Sequence, residues 1–437
     1  MKRLGMHLYI NIHNYNDIVE YEETNIGKPL HSIHALDTYF TSIEKYAKEL
    51  GSVEIEKITG PRLHMYIVEK NMDNAFWVLW KISAYARSLT RYLNENVAKY
   101  KTLSPFEIQI GACYGKFYEF EFKKTSELTT IGYTANFAAK LQAIAVNNSL
   151  CISENIFEAL TNESIKSQFK QKTNSKIYKY NQNCYYEISL RSSNKYFNED
   201  IYTRVLKYAN DTNLKDVNFS SARSLINSEV LSLENSKLVI GIPFFADVRG
   251  FTSRFAEDDS NLEEMKATTE RVLSKMYEIV TKNDGVHIQF QGDREVAIFH
   301  EYGNNRDCYT KSVISAMRLI DEVKNFGISI GIGESLGKIF VTRIGARGCK
   351  DNVLVGRVVN KAEEYEDSEA SENEIVIASN IYQILYESNI KLAKLFNQRK
   401  DYYVSTVGYK KYLDSLKCEQ LQKNNRNNNY NGAWLNE

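Results

Sequence analysis

The stretch Ile240-Gly-Ile-Pro-Phe-Phe-Ala-Asp-Val-Arg-Gly-Phe-Thr252 decides the fold. An apolar run delivers one carboxylate, Asp247, and breaks at Gly250 into a turn. A long amphipathic segment follows, with Met265, Val272, Met276 and Ile279 at helical spacing. This order predicts a strand ending at Asp247, then exposed backbone N–H groups and a helix N-terminus, which together bind phosphate. A second segment, Val286-His-Ile-Gln-Phe-Gln-Gly-Asp-Arg-Glu-Val-Ala-Ile-Phe299, reads as a hairpin with Gly292 in its turn and Asp293 at its tip. Two carboxylates on neighbouring strand ends suit a pair of divalent cations holding a nucleotide.

These residues resemble the class III nucleotidyl cyclases, which make 3',5'-cyclic nucleotides from nucleoside triphosphates. Asp247 in Phe-Ala-Asp-Val-Arg-Gly-Phe-Thr and Asp293 in Gly-Asp look like that family's two metal aspartates. Phe326–Lys338 resembles its central hairpin, and Gly356 and Asn360 fall in its late Gly-x-x-x-Asn helix start. The resemblance implies two divalent cations, Mn²⁺ or Mg²⁺, held by Asp247, Asp293 and the backbone at Val248. It also implies a triphosphate cradled by the amides from Val248 to Thr252, Phe251 among them.

The chain has 437 residues with 43% apolar content, enough for two or three domains with their own cores. Formal charge is zero, so nothing marks a nucleic-acid binder. The six cysteines form no Cys-x-x-Cys pair, which predicts reduced thiols in a cytoplasmic protein rather than a disulfide frame or zinc site. No run approaches the roughly 18 apolar residues of a membrane helix, and the N-terminus lacks a signal peptide's apolar core.

Self-comparison reveals a repeat. Tyr9-Ile-Asn-Ile-His-Asn-Tyr15 parallels Phe245-Ala-Asp-Val-Arg-Gly-Phe251, and Val53–Arg62 parallels the Gly-Asp hairpin. Phe106–Lys116 parallels the Phe326 stretch, and Ile131–Lys140 parallels the segment from Val355. The expected class is therefore α+β: two ferredoxin-like, palm-type cyclase domains forming an intramolecular pseudo-heterodimer. We place the first domain at 1–190, a polar linker at 191–235, the second domain at 236–416 and a polar tail at 417–437.

The two copies have diverged along the line on which the family divides its interface site. Asn11 stands where the second copy has Asp247, and Pro61 where it has Asp293. The first copy matches the family's complementary set instead. Lys57 and Thr129 fall at the base-reading positions, Asn136 at the ribose-orienting asparagine, and Lys140 where the family has its transition-state arginine. The second copy has Gln289, Val353 and Glu364 there. Arg347, in Gly-Ala-Arg-Gly, resembles a phosphate-binding arginine, and Lys179 is a further candidate from the first copy. One interface site is thus expected to work and its mirror to be dead.

Lysine donates to a ring acceptor, and threonine can accept from an exocyclic amino group. That pair favours ATP or CTP and is found in adenylate cyclases. The degenerate two-copy form, without a receptor, membrane or phosphorelay module, resembles the free-standing pyrimidine cyclases of the bacterial Pycsar antiphage system. The expected substrate is accordingly CTP before UTP, then ATP, with a downstream cyclic-nucleotide effector that need not touch the chain. A catalytically silent nucleotide-binding protein is the remaining reading.

Overall fold

The computed structural model describes residues 2–97, 100, 103–122, 124–190, 199–212, 216–250 and 262–417. The central strand of the first half, Lys2–Ile12, shows period-two burial: Met6, Leu8, Ile10 and Ile12 are all sealed in the core. It pairs antiparallel with Arg62–Ile67 on one side and Ile108–Glu121 on the other. Beyond these lie Val53–Thr59 at one edge and Ser149–Ile152, Tyr185–Ser189 and Lys170–Lys172 toward the other.

The second half repeats this order strand for strand. Its sequence runs Val286–Gln291, Arg294–His300, Ser236–Arg249, Ser329–Glu334, Glu374–Ala378, Tyr402–Ser405 and Asn397–Arg399. The registers agree as well: Asn11 faces Arg62 as Asp247 faces Arg294. Both edge hairpins carry a bulge at the same place, between Ile55 and Lys57 and between His287 and Gln289. Two α+β domains of one design are therefore present, as the repeat predicts.

Long helices cover one face of each sheet: Leu30–Leu50 and Met72–Asn96 in the first half, Leu262–Lys282 and Cys308–Lys324 in the second. The Asn71 side chain caps the second of these by accepting from the Asn74 amide at 3.0 Å. Shorter helices, Tyr133–Ile144 and Arg357–Glu364, lie close against the sheets. Glycine permits that approach. A Cβ at Gly111 would stand 2.1 Å from the Gln142 amide, and one at Gly333 would stand 2.2 Å from the Ala362 carbonyl.

Each core is completed by the other half. Phe340, Ile344, Val353 and Val355 join the first half's core, while Phe120, Phe122 and Ile131 join the second's. Full burial of such a side chain contributes about 1.5–3 kcal/mol. Polar contacts fix the same interface: Ile58 N–H donates to Asp351 at 2.7 Å, and Gly345 N–H donates to Asp37 at 3.0 Å.

Among its described residues the stretch 191–235 contributes a helix and a strand. Its helix, Glu199–Thr212, buries Ile201, Val205 and Tyr208 in the first half's core. Its strand, Phe219–Ser221, pairs parallel with Ser236–Leu238 of the second half. Among the described residues no helix is long and apolar enough to cross a membrane.

Candidate active site

The strand expected to end at Asp247 runs on to Arg249, and Asp247 makes its last pair with Arg294–His300; Asp293 lies in the adjoining turn made by Gly292, whose φ is +68°. Both line one cleft of about 310 Å³. The opposite wall comes from the first half and includes Lys57, Asn136 and Lys140. The two sets expected to share a site are therefore brought together across the domain interface.

The carboxylates are held where they repel. Burial pushes the Asp247 carboxyl above its ordinary range, against the pull of the Arg294 and Arg249 guanidinium groups. Burial, and then repulsion by Asp247, pushes Asp293 well above the usual carboxylate range. Asp247 lies 3.6 Å from Arg249 Nη1 and 3.9 Å from Arg294 Nε, and Asp367 also lines the cleft. Both guanidinium groups are drawn back beneath the site by Glu366, each at 2.7 Å. Arg249 fits there because position 331 is glycine; a Cβ would stand 1.9 Å from its Nη2. Two half-buried oxygen donors, both pushed up and one of them by the other, fit a divalent cation, whose charge removes both penalties. Val248 is buried in the strand, so only its backbone carbonyl could serve such an ion.

On the facing wall, the Lys57 ammonium is almost fully buried yet stays charged. Burial would lower its pKa, but Glu127 at 2.8 Å more than offsets this, and a second proton goes to the Phe290 carbonyl at 2.6 Å. Asn136 and Lys140 project from the helix that starts at Gly132, whose φ of +146° makes the sharp entry. Thr129 is 1% exposed with its hydroxyl turned to Glu56, and the neighbouring Thr130 is the threonine that lines the cleft.

Arg347 does not reach this cleft. It is exposed in the turn after Gly337–Ile344, where Gly345 and Ala346 donate to Asp37 and Glu44 of the first half and hold the turn against that helix. Lys179 belongs to the 3-10 turn Ser175–Tyr180, and its neighbour Tyr180 lines the cleft. Phe251 and Thr252 lie outside the described residues.

Several lining residues escaped the sequence reading: Tyr9, Glu56, Arg62, His64, Arg294 and Asp367. Arg62 stands opposite Asn11, and its Nε is buried without a hydrogen-bond partner. The repeat held a signal for it, since Arg62 occupies in the first hairpin the place of Arg294 in the second.

The mirror cleft is smaller, about 150 Å³, and is lined by Asn11, Pro61, Gln289, Asn360 and Glu363. It has no counterpart of the aspartate pair and no cation at the place of Lys140, which Glu364 occupies.

Comparison with known proteins agrees with this architecture. Residues 6–188 match the adenylate and guanylate cyclase catalytic domain family, in the half without the aspartates. A uridylate cyclase from Pseudomonas aeruginosa is 29% identical over 151 residues. That match covers 30% of this chain and 29% of the relative, so it spans less than a third of the relative's length. A crystal structure described as a class III adenylyl cyclase-like ATP-binding protein from Pseudomonas aeruginosa superposes at a TM-score of 0.71 with 20% identity. It covers 95% of this chain and 90% of its own, which shows one fold across both halves. The family match thus covers the first half, and the second half repeats the same sheet order, so both halves carry the fold of the adenylate and guanylate cyclase catalytic domain.

Proposed function

We propose that the protein converts a nucleoside triphosphate to its 3',5'-cyclic nucleotide and pyrophosphate at the cleft between its two halves. The observation that carries this reading is the shared cleft itself: Asp247 and Asp293 on one wall, Lys57, Asn136 and Lys140 on the other. The chemistry that two divalent cations, Mn²⁺ or Mg²⁺, supply when bound by Asp247 and Asp293 is acidification of the ribose 3'-hydroxyl and neutralisation of the β- and γ-phosphates.

The chain's own groups do the rest. Asn136 orients the ribose so that its 3'-oxygen faces the α-phosphorus in line with the departing pyrophosphate. Lys140 stabilises the charge that builds on the α-phosphate, as a point charge without arginine's bidentate fork. Arg62 is the guanidinium placed to bind phosphate, a role the sequence had suggested for Arg347. Lys57 reads the base, with a threonine beside it.

The base is a pyrimidine in this reading, CTP before UTP, and the likeness to a uridylate cyclase supports a pyrimidine. The product acts as a signal in antiphage defence through an effector that need not contact this protein, in the cytoplasm. ATP is the second reading, on the strength of Lys57 paired with threonine. An assay of purified protein with Mn²⁺ and each of the four nucleoside triphosphates tests the proposal. Cyclic product from wild type, lost in Asp247→Ala and Asp293→Ala, is expected. Wild type as inert as both variants would leave a nucleotide-binding protein without turnover.

A further inference from the structure

Glu56 is the residue squeezed out at the bulge of the first edge hairpin, and its carboxylate turns into the cleft wall rather than into solvent. Four groups surround it. Oε1 lies 3.0 Å from the Thr130 amide and 3.4 Å from the Thr129 hydroxyl. Oε2 meets the Thr130 hydroxyl and lies 3.0 Å from His64 Nδ1. His64 is braced from behind, its Nε2 lying 2.8 Å from Nδ1 of the buried His7. Burial opposes charge on Glu56, but His64 and these hydrogen bonds outweigh it and hold the carboxyl ionised, at about 2.

An ionised carboxylate only accepts, so all four neighbours must donate to it. The protons of both threonine hydroxyls are therefore committed to Glu56, and Thr130, the one that lines the cleft, has only a lone pair left for a ligand. Next to them the Lys57 ammonium can only donate. Glu127 and the Phe290 carbonyl take two of its protons.

We infer that Glu56 sets the hydrogen-bonding polarity of the base subsite, making it an acceptor from threonine beside a donor from Lys57. This rests on the nucleotide-site reading above. Such an edge takes a base whose ring nitrogen accepts next to an exocyclic amino group that donates, as in cytosine or adenine. Uracil and guanine present the reverse, an N–H beside a carbonyl, and leave both pairs mismatched. Glu56 is a positioning residue here, acting through Thr130.

The test is base preference measured two ways on the full-length protein with Mn²⁺. Displacement of a fluorescent nucleoside triphosphate by ATP, CTP, GTP and UTP gives four Kd values that do not depend on turnover, and product formation is followed on the same four. The better of CTP and ATP should bind at least about tenfold more tightly than UTP and GTP, the cost of a mispaired buried polar group. In Glu56→Gln the carboxamide donates to a threonine oxygen and frees that hydroxyl proton for the ligand. The preference should then fall about tenfold toward UTP, while affinity for inorganic tripolyphosphate holds, and Glu56→Asp should restore it.

Wild type that binds UTP or GTP best overturns the inference, as does a folded Glu56→Gln protein that keeps the original preference. Should that variant fail to fold, the double variant Thr129→Val with Thr130→Val keeps the carboxylate and must lose the preference; if it does not, the inference is wrong. A protein that prefers amino-bearing bases but makes no cyclic product keeps this inference and loses the cyclase reading. One whose best product is cUMP or cGMP does the opposite.

Discussion

At the tip of one edge hairpin stands Pro61, and at the tip of the other stands Asp293. The hairpins around them share register, bulge and turn glycine, with φ of +55° at Gly60 and +68° at Gly292. A proline offers no side-chain oxygen, so one tip can serve a cation and the other cannot. The same contrast runs round the interface: Asp247 against Asn11, Lys140 against Glu364, Lys57 against Gln289. The lesson is that equal backbone does not make equal sites. What separates a cleft of about 310 Å³ with paired carboxylates from one of about 150 Å³ without them is a handful of side chains on one frame.

The sharpest way to break this comparison is to remove the aspartates. Asp247→Ala and Asp293→Ala should each lower the rate of cyclic product formation by at least on the order of 10²–10³, whereas Asn11→Ala in the mirror cleft should leave it unchanged. Lys140→Ala should cost on the order of 10²–10³ in kcat, and Lys140→Arg should recover most of it. Loss of product formation in Asn11→Ala, with Asp247→Ala unaffected, would reverse the assignment of the two clefts.

Stability probes the frame that the clefts share. Phe340 belongs to the second half but is fully buried in the first half's core. Phe340→Ala should therefore destabilise by about 3–5 kcal/mol in urea unfolding and do so for both halves in one transition. Separate transitions would show that the halves are less interlocked than their cores suggest.

The smallest expected effect is a pH dependence. His287 bridges the halves, with Nε2 2.6 Å from Glu127 and Nδ1 2.7 Å from Glu295. Burial alone would lower its pKa, but the two carboxylates raise it from 6.5 to about 9. The folded state thus holds its proton more tightly than the unfolded chain. The stabilisation is complete below about 6.5 and is lost as pH rises through about 9. Wild type should lose more Tm than His287→Gln over that interval.

Much of this was legible in the sequence. The repeat fixed two copies of one α+β design, because alternating apolar runs and glycine turns recur in order. The substitutions at Asn11 and Pro61 foretold which half would bring the carboxylates. What stayed hidden depends on contacts between distant residues. Arg347 reads as a phosphate ligand until the amides of Gly345 and Ala346 are seen bound to the opposite half. Glu366 gives no signal in its own stretch, since it matters only because the π-helical turn Tyr365–Glu369 carries it beneath Arg249 and Arg294. The step from Thr129 to Thr130 is a matter of strand alternation, in which one residue reverses the face presented. Glu56 was passed over because a bulge has no sequence signature of its own.

The traded apolar strands have an evolutionary corollary. With Phe340 and Val353 sealed inside the first half, and Phe120 and Ile131 inside the second, loss of either sheet would strip apolar cover from the other. The first copy was free to forfeit its aspartates but never its architecture. Duplication here produced not a spare part that decays but a permanent tenant, kept in shape by the neighbour whose walls it holds up.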